Sequence, residues 1–134
     1  MASAEINEDN FMSGSVTRDK ATAFAIRIYK LYQVLFGRKE YILSKQIARS
    51  GTAIGALLME SQHAQSNADF INKVNIALKE ANETLYWLYL LYRTENISEQ
   101  EYNSLKEDCD ELVRLTSSIV KTSKEKIKTN NVER

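Results

Sequence analysis

Apolar positions recur every three or four residues over most of this chain, the spacing of a single helical face. Ala21, Phe24, Ala25, Ile28, Leu31, Tyr32 and Leu35 keep that spacing and predict a first helix from about Thr17 to Phe36. Gly37 then stands where glycine commonly ends a helix by taking left-handed backbone. A second helix is predicted from about Lys39 to Ala64, with an inner stripe of Ile47, Gly51, Ile54 and Leu58 flanked by Ala48 and Gly55. Glycine inside a helix costs about 1 kcal/mol relative to alanine, so Gly51 and Gly55 one turn apart point to close helix packing. Ser66 and Asp69 form a capping box opening a third helix from about Asn67 to Arg93, about 40 Å long. Its core stripe is Phe70, Val74, Ala77, Leu78, Ala81, Leu85, Leu88 and Tyr92. After a short link, Ser98 and Glu101 repeat the capping box. A fourth helix carries Tyr102, Leu105, Cys109, Leu112, Thr116, Ile119 and Val120, and frays through Lys128.

Short links between long helices favour antiparallel neighbours. The pattern therefore predicts an all-α chain folded as an antiparallel up-down four-helix bundle over residues 16–128. A flexible N-terminal arm (1–15) and a flexible C-terminal tail (129–134) would flank it. Proline is absent, which permits long uninterrupted helices.

The third helix departs from simple amphipathicity, because every position from Leu85 to Tyr92 is apolar or aromatic. A surface helix buries one stripe and leaves the rest wet. With Leu85, Leu88 and Tyr92 turned to the core, Tyr86, Trp87, Tyr89, Leu90 and Leu91 need another partner. Tyr86, Trp87, Tyr89 and Leu90 are the candidate oligomer interface. The run is far short of the roughly 20 residues that span a bilayer, and the polar, acidic start lacks the features of a signal peptide. A cytoplasmic protein with no membrane partner is expected.

Formal charge is zero, yet unevenly placed. From Arg18 to Arg49 there are eight basic residues against Asp19 and Glu40. Lys20, Arg27 and Lys30 share one helical face, and Arg38, Lys45 and Arg49 can share another. Phosphate binding needs clustered positive charge and little else, so these six are the candidate nucleic-acid-binding residues. A solvated, purely solubilising cluster is the plainer alternative.

Other chemistry finds weaker support. Glu60 and His63 spell Glu-x-x-His, which di-metal bundles use in pairs with further glutamates, but His63 is the sole histidine. Gly51 to Gly55 lacks the lysine, spacing and strand of a phosphate loop. Cys109 reads as a small buried residue. Glu80 and Glu83 lie on one face and are expected to pair with Arg49 across helices rather than act as an acid/base couple. No catalytic, metal or cofactor constellation is predicted, and no enzyme activity.

The runs Arg49-Ser50-Gly51-Thr52-Ala53-Ile54-Gly55-Ala56, Asp69-Phe70-Ile71-Asn72-Lys73, Ile76-Ala77-Leu78-Lys79-Glu80-Ala81 and Glu83-Thr84-Leu85-Tyr86-Trp87-Leu88 occur in an order that resembles a known family. That family is the bacterial four helix bundle proteins named after the 23S rRNA intervening-sequence protein, and the likeness covers about residues 18 to 125. The chain departs from many relatives at Leu57-Leu58-Met59-Glu60, where they carry an asparagine. The accessory variability protein of diversity-generating retroelements is similar. The resemblance implies an up-down bundle assembled as a ring, commonly a homopentamer. It also implies association with DNA or structured RNA, and with a reverse transcriptase or other nucleoprotein partner. Two functional expectations follow: an oligomer that binds nucleic acid through repeated basic patches, or a protein-protein interaction scaffold that binds none.

Overall fold

A computed structural model describes the backbone of residues 15–133 and the side chains of residues 15–130. Four helices follow one another: α1 (Val16–Gly37), α2 (Leu43–Ser61), α3 (Asn67–Arg93) and α4 (Glu99–Glu133). There is no strand among the described residues. Contacts between the helices run in opposite chain directions, as an up-down bundle requires. Gly51 lies against Ile28 and Gly55 against Ala21; Arg49 reaches Glu83 while Lys73 reaches Glu60; Lys20 meets Glu111 while Arg27 meets Asp108. Sequence neighbours pack closely, whereas α1 and α4 meet sparsely, so the bundle is thinnest along that seam.

Each start is set by its local chemistry. Ser15, which the sequence places in the arm, is the N-cap of α1 and accepts from the Arg18 amide at 3.1 Å. The rest of that arm lies outside the described residues. Ser66 accepts from the Asp69 amide at 3.0 Å, and the Asp69 carboxylate accepts from Gln65 N–H at 3.1 Å. Ser98 and Glu101 form the full reciprocal box at 3.0 and 3.1 Å. The α4 helix then continues past Lys128 to Glu133.

The ends of α1 and α3 are built alike, and neither uses glycine at the left-handed position. Lys39 has φ 68° and Glu95 φ 63°. Glu40 N–H returns to the Leu35 carbonyl and Asn96 N–H to the Leu91 carbonyl, each at 2.9 Å. This six-to-one closure is the Schellman motif. Gly37, expected to terminate α1, is instead its last helical residue. The turn falls two residues later, and α2 begins only at Leu43 rather than near Lys39. The Glu40 carboxylate satisfies the Ile42 and Ser44 amides at 3.3 and 2.7 Å, fixing the entry to α2.

The core holds Phe24, Ile28 and Leu35 of α1, Ile47, Ile54 and Leu58 of α2, Val74 and Leu88 of α3, and Leu112 of α4. Four assignments change in α3. Leu91 is fully buried rather than outward, and Thr84 takes the central place in α3, while Leu85 and Tyr92 are half-buried at its margin. Thr84 fits because its hydroxyl is hydrogen-bonded to the Glu80 carbonyl at 2.7 Å and to Ser50 Oγ at 2.8 Å. Ala25 and Tyr32 of α1 are half-buried.

Candidate nucleic-acid interface

The six predicted cations do not form one continuous surface. Lys20 and Arg27 lie on the flank of α1 that meets α4. Lys20 Nζ is 3.0 Å from Glu111, Arg27 Nη1 is 2.6 Å from Asp108, and Arg27 Nη2 donates to Ser104 at 2.9 Å. Arg49 turns to α3, pairing with Glu80 at 3.0 Å and with Glu83. The Arg49 pairing matches the expectation for Glu80 and Glu83, and it removes Arg49 from a free basic face. Arg38 donates to the neutral Asn96 carbonyl at 3.1 Å, an acceptor without a counter-charge. Lys30 and Lys45 are exposed and form no ion pair among the described residues. The reason for the split is helical register: residues seven apart on α1 share the α4 flank, while α2 offers its basic positions to α3 and to solvent.

The charge left over gathers elsewhere. Lys30 lies on the C-terminal half of α1, Arg38 and Lys39 in the turn after it, and Lys45 in the first turn of α2. Along that segment Glu40 is the sole acid, and its carboxylate is occupied by the α2 amides. Glu101 of α4 stands across the α1–α4 groove from Lys30. That groove, about 290 Å³, is lined by Arg27, Lys30, Leu31, Val34, Glu101 and Leu105.

Within this cationic segment lies a row of rings that the periodicity argument missed. Tyr29, Tyr32, Phe36 and Tyr41 follow one another with ring centroids 5.9, 5.6 and 4.8 Å apart. Tyr29 is 53% exposed and Tyr41 44%. The spacing 29, 32, 36 is itself a helical face, and could have been read beside the core stripe; assigning Tyr32 to the core hid it.

The four residues predicted for an oligomer face on α3 differ in exposure. Tyr86 and Tyr89 are exposed, at 56% and 42%, while Trp87 and Leu90 are half-buried. Trp87 Nε1 donates to Glu83 at 3.1 Å, joining the Arg49 cluster. Arg93 lies over the Tyr89 ring at 5.6 Å and donates to its hydroxyl at 2.7 Å. Tyr92 stacks on Tyr102 at 4.8 Å.

The groups considered for chemistry lie apart. Glu60 faces Lys73 at 3.9 Å, and His63 is exposed in the turn after α2. No group of three histidine, cysteine or acidic residues is placed to hold a metal ion among the described residues. Cys109 is fully buried, its thiol directed at the Ala81 carbonyl at 3.2 Å. Burial, with Asp110 and Asp108 nearby, pushes that thiol up to about 12, which opposes formation of a nucleophilic thiolate. No helix of the described residues is long and apolar enough to cross a membrane.

Four antiparallel helices about one apolar core, with charged seams and aromatic outer faces, define an all-α four-helix bundle. Within that class the chain belongs to the 23S rRNA-intervening sequence protein family, whose model matches residues 16–118. The chain is also similar to the crystal structure of a protein of unknown function from the S23 ribosomal protein family of Bacteroides thetaiotaomicron VPI-5482. That likeness is 56% in identity, covers 79% of this chain and 99% of the other, and has a TM-score of 0.78. No curated protein matches the chain.

Proposed function

We propose that this protein is a non-enzymatic homo-oligomeric bundle that binds nucleic acid along the outer edge of α1 and the turn into α2. The observation that carries the reading is the charge balance of that edge. Between residues 30 and 45, Lys30, Arg38, Lys39 and Lys45 stand against one acid, Glu40, whose carboxylate is engaged by backbone amides, and Glu101 of α4 lines the groove beside Lys30. Phosphates contacted by such a cluster release counterions, so affinity is sequence-tolerant and falls steeply with salt. Repetition around an oligomer multiplies these contacts where geometry allows them to act together. A homopentamer is the assembly that the family resemblance implies, and Tyr86 and Tyr89 supply exposed aromatic surface for it. A reverse transcriptase or another nucleoprotein is the partner class consistent with that role.

Gel shifts at low salt with duplex DNA and structured RNA test the binding. Absence of a shift with both would sink this reading. Sedimentation tests the assembly: Tyr86→Ala should yield smaller species while far-UV circular dichroism stays helical. A scaffold that binds protein alone is the second reading, favoured by the intramolecular pairing of Lys20, Arg27 and Arg49. Under it, neutralising Lys30 and Lys45 leaves partner binding unchanged.

A further inference from the structure

We propose that the ring row Tyr29, Tyr32, Phe36 and Tyr41 is a stacking platform for unpaired bases, so that the ligand is single-stranded nucleic acid. The inference rests on the nucleic-acid reading above and specifies its ligand.

Successive rings are tilted by 33°, 43° and 64°. Tyr29, Tyr32 and Phe36 meet at a tilt and Phe36 meets Tyr41 edge to face, unlike Tyr92 and Tyr102, which are parallel to within 7° and cover each other's faces. Much of the ring surface in the row stays accessible to a third partner, with Tyr29 53%, Phe36 43% and Tyr41 44% exposed. A base in a duplex already has its faces covered by neighbours roughly 3.4 Å away along its strand, and offers only its edges. Aromatic rings beside a cationic track are the recurring elements of single-strand binding, and every base has a π-face, which makes the contact sequence-tolerant.

Charge separates this occupant from a second copy of the chain. Lysine is depleted in the core of protein interfaces because burying its charge needs a partner. Lys30 follows Tyr29 in the chain and Lys39 lies between Phe36 and Tyr41; both are exposed and neither forms an ion pair among the described residues. A polyanion supplies the missing counter-charge at each of them.

Fluorescence anisotropy with labelled 20-mer oligo(dT), oligo(U) and a 20-base-pair duplex, at low salt, tests the proposal. The wild-type protein should prefer the single strands by about tenfold or more, the order expected for one or two stacked rings. Tyr29→Ala combined with Tyr41→Ala should reduce single-strand affinity to the duplex level. Circular dichroism and sedimentation verify that the variant is folded and assembled. Equal binding of both forms, unchanged by the double substitution, overturns the stacking platform and leaves the electrostatic reading standing. No binding of any probe overturns both. A double variant that folds but dissociates assigns the row to a subunit contact, which also overturns the proposal.

Discussion

Gly51→Ala and Gly55→Ala should move stability in opposite directions, although both glycines sit one turn apart in α2. Alanine is the better helix former by about 1 kcal/mol, so without packing both changes would stabilise. A Cβ at Gly55 meets its nearest neighbours, the Ala21 backbone and Cβ, at 3.7 Å, which is ordinary contact. Gly55→Ala should therefore gain about 0.5–1 kcal/mol. A Cβ at Gly51 meets Ile28 Cγ2 at 2.9 Å, Cγ1 at 3.0 Å and Cβ at 3.3 Å. Ile28 is fully buried, and its β-branched side chain is stiff about χ1, so the clash is relieved only by moving α1. Overpacking of this kind costs about 1–3 kcal/mol, leaving Gly51→Ala less stable by about 0–2 kcal/mol after the propensity gain. Urea denaturation followed by far-UV circular dichroism, at one protein concentration, resolves the difference as a shift in midpoint at constant slope. For a chain of this size 1 kcal/mol is about 3–5 °C in Tm. If Gly51→Ala is as stable as Gly55→Ala, the close approach of α1 and α2 at Ile28 is wrong.

Three other outcomes follow from the geometry. Glu95 holds φ 63° in the turn after α3, a conformation that L-residues adopt at a cost of about 1 kcal/mol and glycine adopts freely. Glu95→Gly should raise the thermal midpoint, and an unchanged or lower one contradicts the Schellman closure. Cys109 ionises near 8.5 when unfolded but only at about 12 when folded, so from about pH 9 to 12 the native state holds the extra proton. Stability should fall as pH rises through that window, by about 1.4 kcal/mol per unit at most. Cys109→Ala should lose this component of the slope in urea titrations at pH 7 and pH 10, and equal slopes refute it. Glu83 accepts from Trp87 and pairs with Arg49, both at partly exposed positions. Glu83→Lys should cost about 1 kcal/mol, the upper range for an exposed pair; unchanged melting argues that the cluster contributes nothing.

Much of the fold is legible because helical periodicity is a strong signal in long segments. The limits of α3 and both capping boxes follow from Ser66, Asp69, Ser98 and Glu101, whose side chains act on amides three or four residues away. The turn between α1 and α2 was misplaced because Gly37 has the composition of a terminator, while the Leu35–Glu40 hydrogen bond puts Lys39 in the left-handed position. Composition alone does not identify which residue a six-to-one closure will select. Thr84 stands outside the predicted α3 stripe, yet Ser50 and the Glu80 carbonyl satisfy its hydroxyl in the core. The basic site was only partly legible. Sequence counts cations but does not reveal that Asp108 and Glu111 on α4 neutralise Arg27 and Lys20 across about eighty or ninety residues of chain.

The salt dependence of binding decides whether this edge of the bundle holds nucleic acid. Affinity for a 20-mer single strand should fall linearly in log–log form as salt rises, with each phosphate-contacting lysine adding about 0.7 to the slope. Combined Lys30→Gln and Lys45→Gln should flatten that slope by about 1 to 2 while the protein remains folded and assembled. A slope that both substitutions leave unchanged, or no binding even at low salt, would contradict a nucleic-acid surface on this edge of the bundle.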